Sequence, residues 1–140
     1  MKNKAHWTHF SHDADMGIRG LAPTLEGAFE MGGLALTSIV TSLPLINPVE
    51  EITIHLEASY LDLLFLDWIN AIIYEMDVRR MLFSEFSVRI QKLILCARLK
   101  GEHLDRTRHV PVVEVKGATL TELKVFKNKK LWIAQCVVDV

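Results

Sequence analysis

Apolar and polar residues alternate along much of the chain, which is the pattern of β-strands with one buried face. The first such stretches are predicted at residues 6–12 and 16–22, and a third at 52–58. After residue 82 the alternation is nearly continuous, with strands predicted at 86–90, 93–99 and 113–115. The last two apolar runs, 123–126 and 131–138, flank the polar residues 127–130, which predicts a hairpin.

Two segments have the wider apolar spacing of helices. Residues 24–40 repeat apolar side chains at near-helical intervals after Pro23, with Thr24 as the start, and Gly32-Gly33 suggests close packing against a neighbour. Residues 60–76 are apolar on nearly every side, which indicates a buried helix. This order of elements predicts an α+β fold in which two helices pack on a largely antiparallel mixed β-sheet.

Length and composition favour one soluble domain spanning residues 1–140. Half of the residues are hydrophobic and 24% are charged, which excludes a disordered chain. No apolar run approaches the ~20 residues of a membrane span. The first residues lack the apolar stretch of a signal peptide, so we expect a cytoplasmic protein. Cys96 and Cys136 lie in separate apolar runs without CxxC spacing, which favours buried thiols.

Charge is distributed unevenly along the chain. Residues 1–75 carry three basic side chains and ten acidic ones, whereas residues 76–140 carry thirteen basic and seven acidic. This imbalance allows an acidic pole for a metal or a basic partner together with a basic pole facing nucleic acid, but it also allows halves that intermingle so that charges cancel locally. Basic residues do not cluster with aromatic ones as in RNA-reading motifs, so direct sequence-specific RNA binding is not expected.

Acidic residues in two places could hold a hard cation. Asp13 and Asp15 lie in a predicted turn before Gly17, where paired carboxylates suit a divalent ion; taken alone this motif is weak, because structural Asx turns place the same residues in loops. Asp139 interrupts an apolar tail and is followed by the terminal carboxylate of Val140. Asp15, Asp139 and Val140 could form an all-oxygen site if the last strand ends beside the first loop; otherwise the tail ends in water.

Other polar residues point less clearly to chemistry. His6, His9 and His12 would be divided between the two faces of a strand, so a three-histidine zinc site is not expected, and His55, His103 and His109 have no ligand spacing. Lys116 and Glu114 are predicted on one strand face, either as an exposed ion pair or with Lys116 contacting a partner or phosphate. No phosphate-binding loop or nucleophile motif occurs, so no enzyme is predicted.

Five collinear motifs resemble those of the archease family. Residues 12–18, HDADMGI, and 24–29, TLEGAF, are similar to the family's H-T-A-D-[IV]-G and T-L-E-E-A-F. Residues 63–70, LLFLDWIN, and 82–86, LFSEF, resemble L-L-x-x-W-L-N and F-x-E-F. Residues 114–119, EVKGAT, and the final Asp-Val resemble E-V-K-A-x-T and a terminal D-[IV]. Ser11, Asp13 and Pro23 depart from the family, since relatives often have an acid, Thr and Asp there.

The resemblance implies a function as well as a fold. Members of this family activate RtcB-type RNA ligases by promoting guanylylation and repeated turnover in tRNA splicing and RNA repair, without being enzymes themselves. It implies a metal site at Asp15, Asp139 and Val140 for Ca²⁺, Mg²⁺ or Mn²⁺, with Asp13 and Lys116 as further metal or partner contacts. RNA would be contacted only through the ligase, and no membrane is involved. The alternative is a metal-independent, chaperone-like interaction module that acts on an RNA-modifying enzyme.

Overall fold

The computed structural model describes residues 4–140, which form eight strands, three helices and one 3₁₀ turn. Residues 1–3, on which the signal-peptide prediction partly rests, lie outside the described part of the chain. The strands are β1 (His6–His12), β2 (Asp15–Ala22), β3 (Glu50–Glu57), β4 (Met81–Gln91), β5 (Ile94–His103), β6 (Gly117–Ala118), β7 (Lys124–Asn128) and β8 (Leu131–Asp139). The helices are α1 (Leu25–Val40), α2 (Leu61–Arg79) and α3 (Arg106–His109), and the 3₁₀ turn is Leu43–Leu45.

The strands divide into two antiparallel sheets. The larger sheet has the order β1-β2-β8-β6, and β7 pairs with the same edge of β8 as β6 does. The smaller sheet has the order β3-β5-β4. Every strand pair in the described chain is antiparallel. The α+β prediction is confirmed, with two sheets where one was expected.

Helix α1 joins the two sheets because it contacts β2 on one side and β4 on the other. Its start was predicted correctly: the Thr24 side chain accepts a hydrogen bond from the Gly27 N–H at 3.0 Å. Gly20 on β2 allows the helix to come close, since a Cβ there would lie 2.1 Å from the Ala28 carbonyl oxygen. Gly32 also packs tightly, because a Cβ at that position would meet the Phe65 ring at 2.7 Å.

Helix α2 supplies much of the core that both sheets share. Phe65, Trp68 and Ile69 are fully buried, and the Trp68 indole N–H donates to the Phe29 carbonyl at 2.9 Å. The helix continues to Arg79, three residues beyond its predicted end, where Arg79 and Glu75 form an (i, i+4) ion pair. Within residues 4–140, no helix is long and apolar enough to cross a membrane.

The predicted strand at 113–115 is wrong, and the short helix α3 was not predicted. Residues 110–116 are extended but belong to no ladder: Val110 has a left-handed backbone (φ 47°) and Pro111 has no N–H to donate. The segment is held at its ends instead. The Val112 N–H donates to the Val40 carbonyl, and the Lys116 N–H donates to the Asp139 carbonyl, both at 2.9 Å.

Candidate metal site and adjoining groove

The first turn and the end of the chain meet at one edge of the larger sheet. Met16 on β2 pairs with Val138 on β8, so Asp15 and Asp139 stand opposite each other one position further along. Side chains opposite each other on antiparallel strands lie on the same face, with Cβ atoms about 5 Å apart. The Val140 backbone N–H donates to Asp15 Oδ1 at 3.4 Å, which brings the terminal residue to the same carboxylate. The condition set for a joint site, that the last strand ends beside the first loop, is met.

Asp13 occupies the outer position of the same turn. Its backbone is left-handed (φ 52°), a conformation that Asp tolerates better than most residues. Its carboxylate lies 3.8 Å from His12 Nδ1, and the side chain is 94% exposed. No backbone N–H of the described chain donates to it, so the turn is not closed by an Asx bond. Asp13 is therefore an exposed acid beside the Asp15–Asp139 pair.

Lys116 is attached to this edge through its backbone. Its N–H donates to the Asp139 carbonyl, and the next residue, Gly117, pairs with Asp139. The side chain of Lys116 is exposed and forms no ion pair with any acid among residues 4–140, so the first of the two expected alternatives, an ion pair with Glu114, is not formed. Glu114 and Lys116 are nevertheless both exposed and both line the adjoining groove, because burial alternates along this extended segment.

The donor set at this edge is composed of oxygen atoms. Asp15, Asp139 and the terminal carboxylate are the groups that hard divalent cations prefer, and such cations take six or more ligands. No group of three His, Cys, Asp or Glu side chains in the described chain is placed to hold a metal. This edge therefore supplies an oxygen-only but incomplete ligand set, and a cation bound here would need further ligands from water or from another molecule.

A groove of about 670 Å³ lies next to this edge, between α2 and residues 111–116. Asn70 on α2 lines it, and its Oδ1 accepts the Ala118 N–H at 2.9 Å. Tyr74 lines the groove from the same helix, and Lys116 lines it from the opposite wall. Lys116 is thus shared between the groove and the edge that carries Asp139.

The histidines of β1 lie as predicted. His9 Nε2 is 2.8 Å from the Ala35 carbonyl oxygen on α1, whereas His6 Nδ1 is 2.7 Å from the Lys4 carbonyl oxygen. His6 and His9 thus contact different partners, as expected for positions three residues apart on a strand. On the smaller sheet, Cys96 Sγ lies 3.2 Å from His55 Nδ1 across the β3–β5 pair. Cys96 is only half-buried, which corrects the prediction of a buried thiol.

Sequence reasoning missed a buried polar cluster behind the groove. Glu102 accepts hydrogen bonds from the Asn47 N–H at 2.7 Å and from His109 Nε2 at 2.9 Å, and pairs with Arg108 at 2.7 Å. These donors, the backbone N–H first, lower the pKa of Glu102 to about 2. The Asp105 N–H donates to His109 Nδ1, so Nε2 carries the proton that Glu102 accepts. No short motif links these residues, because their contacts depend on the turn that α3 makes.

Burial also changes the pKa of two groups away from this edge. Desolvation raises the pKa of Glu30, although its carboxylate accepts the Val88 N–H at 2.8 Å, which acts in the opposite direction. Burial likewise raises the pKa of the Cys136 thiol to about 12, as expected for an inert core cysteine. Neither group belongs to the carboxylate edge or to the groove.

The sequence of this chain is similar to one protein-family model and to several known proteins. The model of the Archease protein family matches residues 7–140. "Protein archease" of Pyrococcus furiosus is 35% identical over 139 residues, covering 96% of this chain and 98% of the relative, and that of Methanopyrus kandleri is 33% identical over 137 residues, covering 95% and 98%.

Two solved structures share the fold. The solution structure of Methanobacterium thermoautotrophicum protein 1598 has a TM-score of 0.86 at 25% identity and covers 96% of this chain and 98% of its own. The crystal structure of a Thermotoga maritima protein described as an archease and possible chaperone has a TM-score of 0.58 at 17% identity, covering 94% of each chain, and supports the fold alone.

Proposed function

Because this chain belongs to the archease family, we propose that it is a cytoplasmic, non-enzymatic activator of an RtcB-type RNA ligase. In this proposal it promotes guanylylation and multiple turnover of the ligase in tRNA splicing and RNA repair, and it contacts RNA only through the ligase. The observation that carries the proposal is the meeting of Asp15 with the chain terminus, where Val140 donates to the Asp15 carboxylate.

The carboxylate edge supports a role in presenting a divalent cation to the ligase. Asp15, Asp139 and the terminal carboxylate of Val140 would hold Ca²⁺, Mg²⁺ or Mn²⁺, and Asp13 would add negative charge from the exposed turn. A bound cation there would offset negative charge on a triphosphate during nucleotidyl transfer. Three carboxylates leave coordination positions open, which is what a site completed by a partner's nucleotide requires. Lys116 would contact the ligase from the adjoining wall.

A non-enzymatic role agrees with the names of the relatives, which state an archease protein or a possible chaperone and no enzyme activity. The Cys96–His55 pair, which resembles a nucleophile and base, lies on the outer face of the smaller sheet. It is outside the large groove and far in sequence from the carboxylate edge, so the proposal gives it no catalytic role.

The test is multiple-turnover joining of a cyclic-phosphate RNA by limiting cognate ligase, with GTP and a divalent metal. Asp15→Asn and Asp139→Asn should reduce joining to about one turnover per ligase, while Asp67→Asn, an exposed acid on α2, should activate like the wild type. A Gly-Gly extension after Val140 should also weaken activation, because it moves the terminal carboxylate. Full activation by both aspartate variants would refute the metal role.

A metal-independent, chaperone-like interaction module is the second candidate function. It is favoured by the description of the Thermotoga structure as a possible chaperone and by the strongly exposed Val112 beside the groove. In that case chelation of divalent ions would leave binding to the ligase unchanged. Binding measured with and without chelator therefore separates the two candidates.

A further inference from the structure

Three cationic side chains surround the groove without partners. Arg80, Arg106 and Lys116 all line it and are exposed, and none forms an ion pair with any acid among residues 4–140. Two carboxylates, Asp77 and Glu114, share the lining, which leaves an excess of one positive charge. Unpaired cations around a concave site attract anions, and more strongly there than on a flat surface.

Arg80 occupies a backbone position that normally favours glycine. It follows the last residue of α2 with φ 55° and ψ 48°, the left-handed conformation with which many helices end. A non-glycine residue there costs about 1 kcal/mol, a cost that Lys129 in the β7–β8 turn also bears. Val110, next to the opposite wall, is also left-handed although it is β-branched. Two costly backbone positions thus flank the groove.

The wall formed by α2 adds an aromatic surface and a hydrogen-bond acceptor. Tyr74 is 62% exposed and lines the groove, so it offers an aromatic side chain to a ligand bound there. Asp77 lies three residues further along and therefore on the same side of the helix. Ile73 and Val113 provide apolar surface between the charged groups. An aromatic ring, an acceptor and several cations are the groups that bind a nucleobase together with phosphates.

We propose that this groove binds a nucleoside triphosphate. The phosphates lie among Arg80, Arg106 and Lys116, and the base stacks on Tyr74, where Asp77 accepts from its N–H groups. A groove of about 670 Å³ is within the range of small-ligand sites. The proposal assigns a ligand to this chain itself and does not depend on the ligase. If both proposals hold, Lys116 places the bound phosphates next to the edge that carries Asp139.

The test is titration of the isolated chain with GTP and ATP by calorimetry, with tripolyphosphate and guanosine as separate arms. Saturable binding of GTP or ATP is expected. Tripolyphosphate and guanosine, which each carry only part of the nucleotide, should bind more weakly. Arg80→Gly should weaken nucleotide binding about tenfold while keeping or raising the melting temperature, since glycine suits that backbone. Lys129→Gly is the matched control: this lysine is also left-handed (φ 58°) and exposed but lies in the β7–β8 turn, so affinity should not change.

Two further variant pairs test the cations and the base separately. Arg106→Gln should weaken triphosphate binding about tenfold, whereas Arg89→Gln, an exposed arginine on β4 outside the groove, should have no effect. Tyr74→Ala should reduce GTP affinity about tenfold and leave tripolyphosphate affinity unchanged. Tyr60→Ala, which removes an exposed tyrosine outside the groove, should change neither.

Three results would overturn the proposal. The first is no saturable binding at millimolar GTP or ATP. The second is an equal loss of nucleotide affinity in Arg80→Gly and Lys129→Gly, and the third is that tripolyphosphate binds as tightly as both nucleotides. The second would indicate diffuse electrostatics, and the third a simple anion site. Because no ligase is present in these titrations, their failure leaves the activator role standing. Conversely, full ligase activation by both Asp15→Asn and Asp139→Asn would refute the metal role without affecting the groove.

Discussion

Replacing Glu102 by glutamine tests how much the buried polar cluster stabilises the fold. In the wild type, one carboxylate oxygen accepts from the Asn47 N–H and from His109, and the other pairs with Arg108. Glutamine has nearly the same shape but only one acceptor oxygen. If that oxygen keeps the hydrogen bonds from Asn47 and His109, the amide NH₂ group faces the Arg108 guanidinium. Both of these groups are hydrogen-bond donors, so they form no bond with each other.

The expected destabilisation follows from the bonds that remain. Hydrogen bonds to a charged acceptor contribute about 1.5–3 kcal/mol and those to a neutral one about 0.5–1.5 kcal/mol, so weakening two bonds costs about 2 kcal/mol. The Arg108 pair adds little, because its side chain is 41% exposed and can turn towards water. At about 3 °C per kcal/mol for a chain of this length, Glu102→Gln should melt about 6 °C below the wild type at pH 7.

The same substitution predicts a pH dependence whose sign follows from the pKa of Glu102. That pKa is about 2 in the folded chain and near 4.5 in the unfolded one, so the unfolded state binds the proton first as pH falls. The contribution of Glu102 to the free energy of unfolding is complete above pH 4.5 and decreases towards pH 2. Glutamine does not titrate. The difference between the two proteins should therefore shrink as pH falls from 5 to 3.

Thermal and urea unfolding followed by circular dichroism between pH 7 and pH 3 measures both effects. Glu57→Gln is the control, because Glu57 is exposed on edge strand β3. The stability of this variant should match that of the wild type at each pH. The reasoning fails if Glu102→Gln is within about 0.5 kcal/mol of the wild type at pH 7. It also fails if the difference between the two proteins stays constant down to pH 3.

Two further predictions concern packing and thiol chemistry. Gly101→Ala should destabilise the fold by about 3 kcal/mol in urea unfolding, because its Cβ would lie 1.8 Å from the Leu82 carbonyl oxygen. At Gly117 a Cβ would lie 3.5 Å from its nearest neighbour, so Gly117→Ala should change stability by less than about 0.5 kcal/mol. Similar losses of stability in the two variants would contradict this account. A thiol reagent at pH 8 should label Cys96 but not Cys136 in the native chain, since burial raises the Cys136 pKa to about 12; two reactive thiols would contradict it.

Features that depend on neighbours within a few residues could be read from the sequence. The alternation in 52–58 and the polar turn between β7 and β8 predicted strands correctly, because the period of burial is a local property. The start of α1 was predicted for the same reason, since the Thr24 cap bonds a backbone N–H three residues away. The strand predicted at 113–115 failed because apolar alternation does not supply a ladder partner.

The candidate carboxylate site could be predicted only in part. Asp139 was noticed because an acid in an apolar tail must be solvated or paired, and Asp15 because a carboxylate in a turn is an oxygen donor. Asp15 and Asp139 are more than a hundred positions apart along the chain. The register between β2 and β8 decides whether they meet. A shift of one residue would move one side chain to the other face of the sheet.

By itself the sequence determined most of the strands, the two long helices, their buried faces and the acids that are candidates for a metal, because these follow from local periodicity and from the cost of burying charge. Only the tertiary structure decided that the strands form two sheets, that Glu102 lies buried against His109, and that Arg80 and Lys116 border one groove. The physical reason is that such contacts join residues distant in sequence, and their geometry is fixed by packing of the whole core around α1 and α2.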